Sequence, residues 1–131
     1  MLRTRGNAQY RFLDFQEAEI GDCFYHVRHT PYGNQVCALD AGEVVGVDDG
    51  KIHCRLEGQA KLWRFRKTQE QPNCYREEDP LFQSIAIRFR QTERVERIKR
   101  WIQKAPIEAF DDPVCAAIED WQRHRRQDTE S

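Results

Sequence analysis

No stretch of this 131-residue sequence approaches the ~20 apolar residues that a membrane-spanning helix needs. Its opening, "MLRTRGNAQYRFLDF", lacks the apolar run of a secretory signal. There is no G-x-x-x-x-G-K-[ST] phosphate loop, no GxGxxG fingerprint and no C-x₂-C pair. Internal repeats and low-complexity segments are missing too. Neither sign of charge dominates: 21 Lys and Arg meet 22 Asp and Glu, so bulk electrostatics name no partner. These absences argue against phosphate-loop enzymes, zinc ribbons and membrane proteins. The odd count of five cysteines fits reduced thiols and a cytoplasmic setting.

What is present fits one domain, 1–131. A chain of this size hides roughly two-thirds of its unfolded surface and needs neither disulfide nor metal to stand. Trp63, Trp101, Trp121, seven Phe and four Tyr supply bulky core material. Charge is unevenly spread. Residues 1–60 carry 6 basic and 9 acidic side chains, residues 61–104 carry 12 and 6, and residues 105–131 carry 3 and 7. A basic middle between acidic ends can present one positive face.

Strand patterns come first and helix patterns second, an α+β order. Residues 1–9 and 127–131 read as flexible, 10–90 as β-rich, and 91–126 as a helical hairpin. A strand is expected over about 22–29, with Phe24, His26 and Arg28 on one face. "QVCALDAG" and "EVVGV" read as two strands broken at Gly42. Asp49-Gly50 fits a type I′ hairpin turn. The strand "KIHCRL" then puts Ile52, Cys54 and Leu56 inward and His53 and Arg55 outward. "KLWRFRK" (61–67) follows, "TQEQPNCYREEDP" reads as a long loop, and "SIAIRFR" as a last strand with Arg88 and Arg90 outward. A first helix opens at Thr92 as N-cap, with Val95, Ile98, Trp101 and Ile102 in its apolar stripe. A second begins at Asp112-Pro113 and carries Val114, Ala117, Ile118 and Trp121. The expected architecture is a small curled antiparallel sheet or SH3-like barrel followed by two C-terminal helices.

From "EIGDCFYHV" through "GVDDGKI" to "LWRFRK", about residues 19–90, the sequence resembles small SH3-like barrel accessory proteins of bacteriophages and mobile elements. The resemblance implies a role in host interaction, such as inhibition of host defence, and transfers no residue roles.

Several constellations hold residue types capable of chemistry. Cys23, His26 and His29, with Cys37, His53 and Cys54, contain metal-ligand types, but Cys23 and His26 point to opposite faces of a strand, as do His53 and Cys54. Core packing is the simpler role for these cysteines, and no metal or cofactor is expected. Cys115 sits in the first turn of a helix, where a thiolate is favoured, yet Val114 and Ala116 flank it. The acids Asp48–Asp49, Glu77–Glu78–Asp79 and Asp111–Asp112 read as turn, loop and cap residues. A small Cys- or metal-dependent enzyme therefore ranks third, and a non-catalytic module first.

The candidate binding residues are Arg64, Arg66, Lys67, Arg88, Arg90, Arg94, Arg97 and Arg100. If strands 61–67 and 85–90 pair, Arg64 and Arg66 lie beside Arg88 and Arg90, and four guanidiniums on one face call for an anion. Arg favours bidentate contact with phosphate or carboxylate. Trp63 and Phe65 read as core, so base stacking is not expected. For the helix, Glu93 and Glu96 at i+4 from Arg97 and Arg100 offer the alternative of a solvated, ion-paired surface. The partner is then nucleic acid or a host protein or nucleoprotein complex. The alternative is a protein–protein inhibitor, and either a monomer or a homodimer suits both.

Overall fold

The computed structural model describes the backbone of residues 1–130 and side chains through Gln127. It divides into two compact units, Met1–Thr92 and Glu93–Ser131.

The first unit is built on a five-stranded antiparallel sheet. Its strands are β3 (Cys23–His29), β4 (Val36–Asp48), β5 (Lys51–Leu56), β6 (Trp63–Arg66) and β7 (Cys74–Tyr75). They pair in the order β6-β5-β4-β3-β7. The sheet is open, with β6 and β7 as edges, and the barrel alternative is not shown by the pairing. A separate hairpin pairs β1 (Arg3–Gly6) with β2 (Arg11–Asp14). The N-terminal residues read as loose thus hold a strand.

Alternation decides which residues β5 and β6 bury. Ile52, Cys54, Leu56 and Phe65 point into one cluster with Leu13, Phe15, Phe24 and Val44. Phe15 packs edge-on against Phe24 and Phe65, with centroids 5.2 and 4.8 Å away. Such edge-to-face contacts add about 0.5–1.5 kcal/mol each beyond area burial. Gly42 is no break. β4 runs unbroken through it, and a Cβ there would stand 2.6 Å from the Phe24 ring. The hairpin at Asp49-Gly50 forms, with Asp48 paired to Lys51. Only Gly50 has positive φ (74°), so the turn is not type I′, which needs both central residues there.

The sheet's other face meets the start of the long helix α1 (Pro80–Lys104). Phe82 and Ala86 are buried against Val27, with Tyr25, Leu39, Tyr75 and Ile85 around them. Tyr25 stacks on Phe82 at 4.6 Å. This corrects the strand expected at 85–90. "SIAIRFR" satisfies period two through Ile85, Ile87 and Phe89. It also satisfies the helical period through Phe82, Ile85, Ala86 and Phe89. Helix wins because Asp79 caps it and Pro80 opens it. Leu81 donates its amide to Asp79 Oδ1 at 2.9 Å. Arg11 Nη2 also donates to both Asp79 oxygens, at 2.9 and 2.8 Å, tying this buried cap to β2. Thr92, expected as an N-cap, lies mid-helix and donates its hydroxyl to the Arg88 carbonyl at 3.0 Å.

The second unit holds the rest of α1, a short 3₁₀ turn (Ile107–Ala109) and α2 (Asp112–Glu130). Its cap is Asp111, whose Oδ1 accepts the Val114 amide at 3.1 Å, one residue earlier than expected. The flexible tail expected at 127–131 overlaps the helix through Glu130, and Ser131 lies outside the described residues.

Candidate functional site

β6 is an edge strand of four residues, WRFR. Phe65 is buried and Trp63 half-buried against the core, as their alternation predicts, while Arg64 and Arg66 are exposed. The register with β5 sets His53 opposite Arg64 and Lys51 opposite Arg66. These four side chains share the face turned away from the core. They line a shallow depression of about 720 Å³ together with Asp48, Thr68 and Gln69. Asp48 Oδ2 lies 3.5 Å from His53 Nε2, and it is the one carboxylate lining this depression among the described residues.

Electrostatics make this face unusual. Like charges directly opposite each other across a strand pair destabilise the sheet. Lys51 with Arg66 is such a pair, and His53 with Arg64 becomes one whenever the imidazole is protonated. Among the described residues neither arginine forms an ion pair or hydrogen bond through its side chain. An anion arriving here removes a repulsion and gains bidentate contacts.

The structure separates the other sequence candidates. Arg88 and Arg90 lie on α1, not on a strand, so the four-arginine sheet cluster does not exist. Strand 61–67 pairs with β5 alone. The helix bearing Arg88 and Arg90 packs on β3, β4 and β7. That places β3 three strand spacings from β6, about 14 Å of sheet. Lys67 follows β6, donates its amide to the Gly50 carbonyl at 2.8 Å and has a half-buried side chain. Arg94, Arg97 and Arg100 belong to the second unit. The i+4 pairs expected from Glu93 and Glu96 to Arg97 and Arg100 do not form among the described residues. Lys51 and His53 were missed as site residues. Their signal was present, because the Asp49-Gly50 hairpin and the alternation of "KIHCRL" put them on the outward face.

Two other places carry polar groups. His26 faces Asp40 across β3 and β4, with Nδ1 3.9 Å from Oδ2, and its ring lies 5.3 Å from that of Trp63. Burial lowers the His26 pKa below its ordinary value, against the opposing pull of Asp40. Cys74 stands opposite His26 in the pairing of β3 with β7, but its thiol is buried in the core cluster. A groove of about 770 Å³ runs past the exposed Cys23 and is lined by Glu43, Arg55, Glu57, Arg76 and Glu77. Burial pushes the Cys54 thiol up to about 12 and raises Cys74 as well, so both are protonated at neutral pH. Among the described residues no three His, Cys, Asp or Glu side chains converge as metal ligands would. Among the described residues no helix is long and apolar enough to cross a membrane.

No family model, no curated protein and no solved structure matches the chain.

Proposed function

We propose that this protein is a non-catalytic binding module whose β5–β6 face engages nucleic acid through its phosphates. One observation carries the reading: Lys51 stands opposite Arg66 and His53 opposite Arg64, with both arginines exposed and without ion-pair partners among the described residues. Folding alone gives no reason for that arrangement, and a phosphate backbone does. Because Trp63 and Phe65 turn to the core, the face offers no stacking platform, and contact is to the backbone, largely independent of sequence. In this role the chain acts as an accessory protein of the phage and mobile-element kind it resembles, on nucleic acid or a host nucleoprotein complex.

The test is a fluorescence-anisotropy titration with labelled single- and double-stranded oligonucleotides. A complex is expected at about 50 mM salt and should weaken steeply by about 200 mM, because binding releases counterions. Absence of any complex at the lower salt would sink the proposal.

A second reading, a protein–protein inhibitor, is favoured by the mixed-charge groove. Glu43, Glu57 and Glu77 there oppose a phosphate chain, whereas alternating charges suit a protein surface. A partner recovered from nuclease-treated lysate by the wild type, and lost on Glu43→Lys/Glu57→Lys, would transfer the weight to this reading.

A further inference from the structure

In Glu93–Ser131 no side chain is buried among the described residues. The half-buried ones, Ala105, Ala109, Phe110, Val114, Cys115 and Ile118, fall in the connection between the helices and the first two turns of α2. The apolar stripe along the two helices lies open. Trp101 is 59% exposed, Trp121 62%, Ile98 46%, and Val95 and Ile102 37% and 38%. Amphipathic helices in proteins draw most of their stability from covering such a stripe rather than from propensity.

We infer that this helical unit is a dimerisation surface, closed by the same unit of a second copy of the chain. Area is the first argument. At ordinary residue sizes the five exposures amount to on the order of 600 Å² per chain, approaching the ~800 Å² per partner of a standard interface before any flanking residue is added.

Charge is the second argument, and it selects the occupant. Residues 93–104 carry five basic and two acidic side chains, while residues 105–120 carry five acidic and no basic ones. Arg94, Arg97 and Arg100 have no ion pair among the described residues. A phosphate chain laid on this unit would meet the acids, and a partner of one sign would be repelled by one of the two segments. A two-fold axis brings the basic segment of each copy to the acidic segment of the other, so one self-complementary contact satisfies both. Arg94, Arg97 and Arg100 thereby leave the anion-binding set and become dimer contacts. The inference does not depend on what the β5–β6 face binds.

Sedimentation equilibrium of the full chain tests it. At micromolar concentration the mass should approach twice 15.6 kDa. Ile98→Glu with Trp101→Glu should give a monomer whose sheet unit still unfolds at the wild-type urea midpoint. Arg97→Glu with Arg100→Glu should weaken the dimer at least about tenfold, and adding Glu119→Arg with Asp120→Arg should restore it. A wild type that stays monomeric, or a dimer that survives Ile98→Glu/Trp101→Glu, overturns the inference. Charge reversal without rescue overturns the two-fold pairing.

Discussion

In Met1–Thr92 two buried clusters sit on opposite faces of one sheet, whereas in Glu93–Ser131 no described side chain is buried. The three tryptophans make the contrast concrete. Trp63 packs against Phe24 and Phe65 at the margin of the sheet core, while Trp101 and Trp121 keep more than half their surface in solvent. The same residue type closes a core in one unit and waits for a partner in the other. Aromatic content alone therefore does not locate a core; what decides is whether a second layer exists to cover each stripe. The sheet has β2 with Phe15 on one face and the first turns of α1 on the other. Within Glu93–Ser131 the half-buried side chains among the described residues fall between residues 105 and 118.

Core substitutions probe this contrast most forcefully. Phe82→Ala, in the layer between α1 and β3, should cost about 3–5 kcal/mol in urea unfolding of the sheet unit. Trp121→Ala, measured where the chain is monomeric, should change that unfolding by less than about 0.5 kcal/mol. Equal effects would erase the distinction between the units. Next in size is Arg11→Ala, which leaves the Asp79 carboxylate, 2% exposed, without its ion partner; a loss of about 3 kcal/mol is expected by the same method. Gly42→Ala drives a methyl into the Phe24 ring and should cost about 1–3 kcal/mol, with the near-ultraviolet dichroism of the aromatic cluster altered.

The smallest expected effect is a pH dependence. The His26 pKa is lowered in the folded chain, chiefly by burial, so the unfolded chain takes up its proton first as pH falls. The contribution of neutral His26 is complete above its ordinary value, about 6.5, and is lost as pH drops through the lower folded value. The urea midpoint of the wild type should fall between neutral and mildly acidic pH, and His26→Gln should flatten that fall. An unchanged profile in the variant would assign the pH dependence to other groups.

Much of the sheet was legible because its strands alternate cleanly. Ile52, Cys54 and Leu56 against His53 and Arg55 leave one choice of face, and Trp63 and Phe65 against Arg64 and Arg66 another. The misreadings have local causes. "SIAIRFR" fits both periods, and the arbiter was the Asp79-Pro80 pair just upstream, the same Asp-Pro signature used to place the second helix. Gly42 looks like a breaker in sequence, but the lack of a side chain there is what lets the Phe24 ring approach β4. β1 carries only exposed residues, so no burial pattern marks it. As for the candidate site, Arg64 and Arg66 stood out by composition. Lys51 and His53 required the strand register, and the false partners Arg88 and Arg90 followed from the misread helix. Pairing across strands is a long-range fact that a local pattern of alternation does not contain.

The measurement that bears most directly on the β5–β6 face is the salt dependence of nucleic-acid affinity in the wild type and in Arg64→Ala/Arg66→Ala. Each phosphate contact contributes about 0.9 to the slope of log affinity against log salt on duplex DNA. Removing both arginines should lower the slope by close to twice that amount and weaken binding alike for all sequences, while the urea midpoint stays within about 0.5 kcal/mol of wild type. An unchanged slope with affinity intact would contradict the assignment of this face.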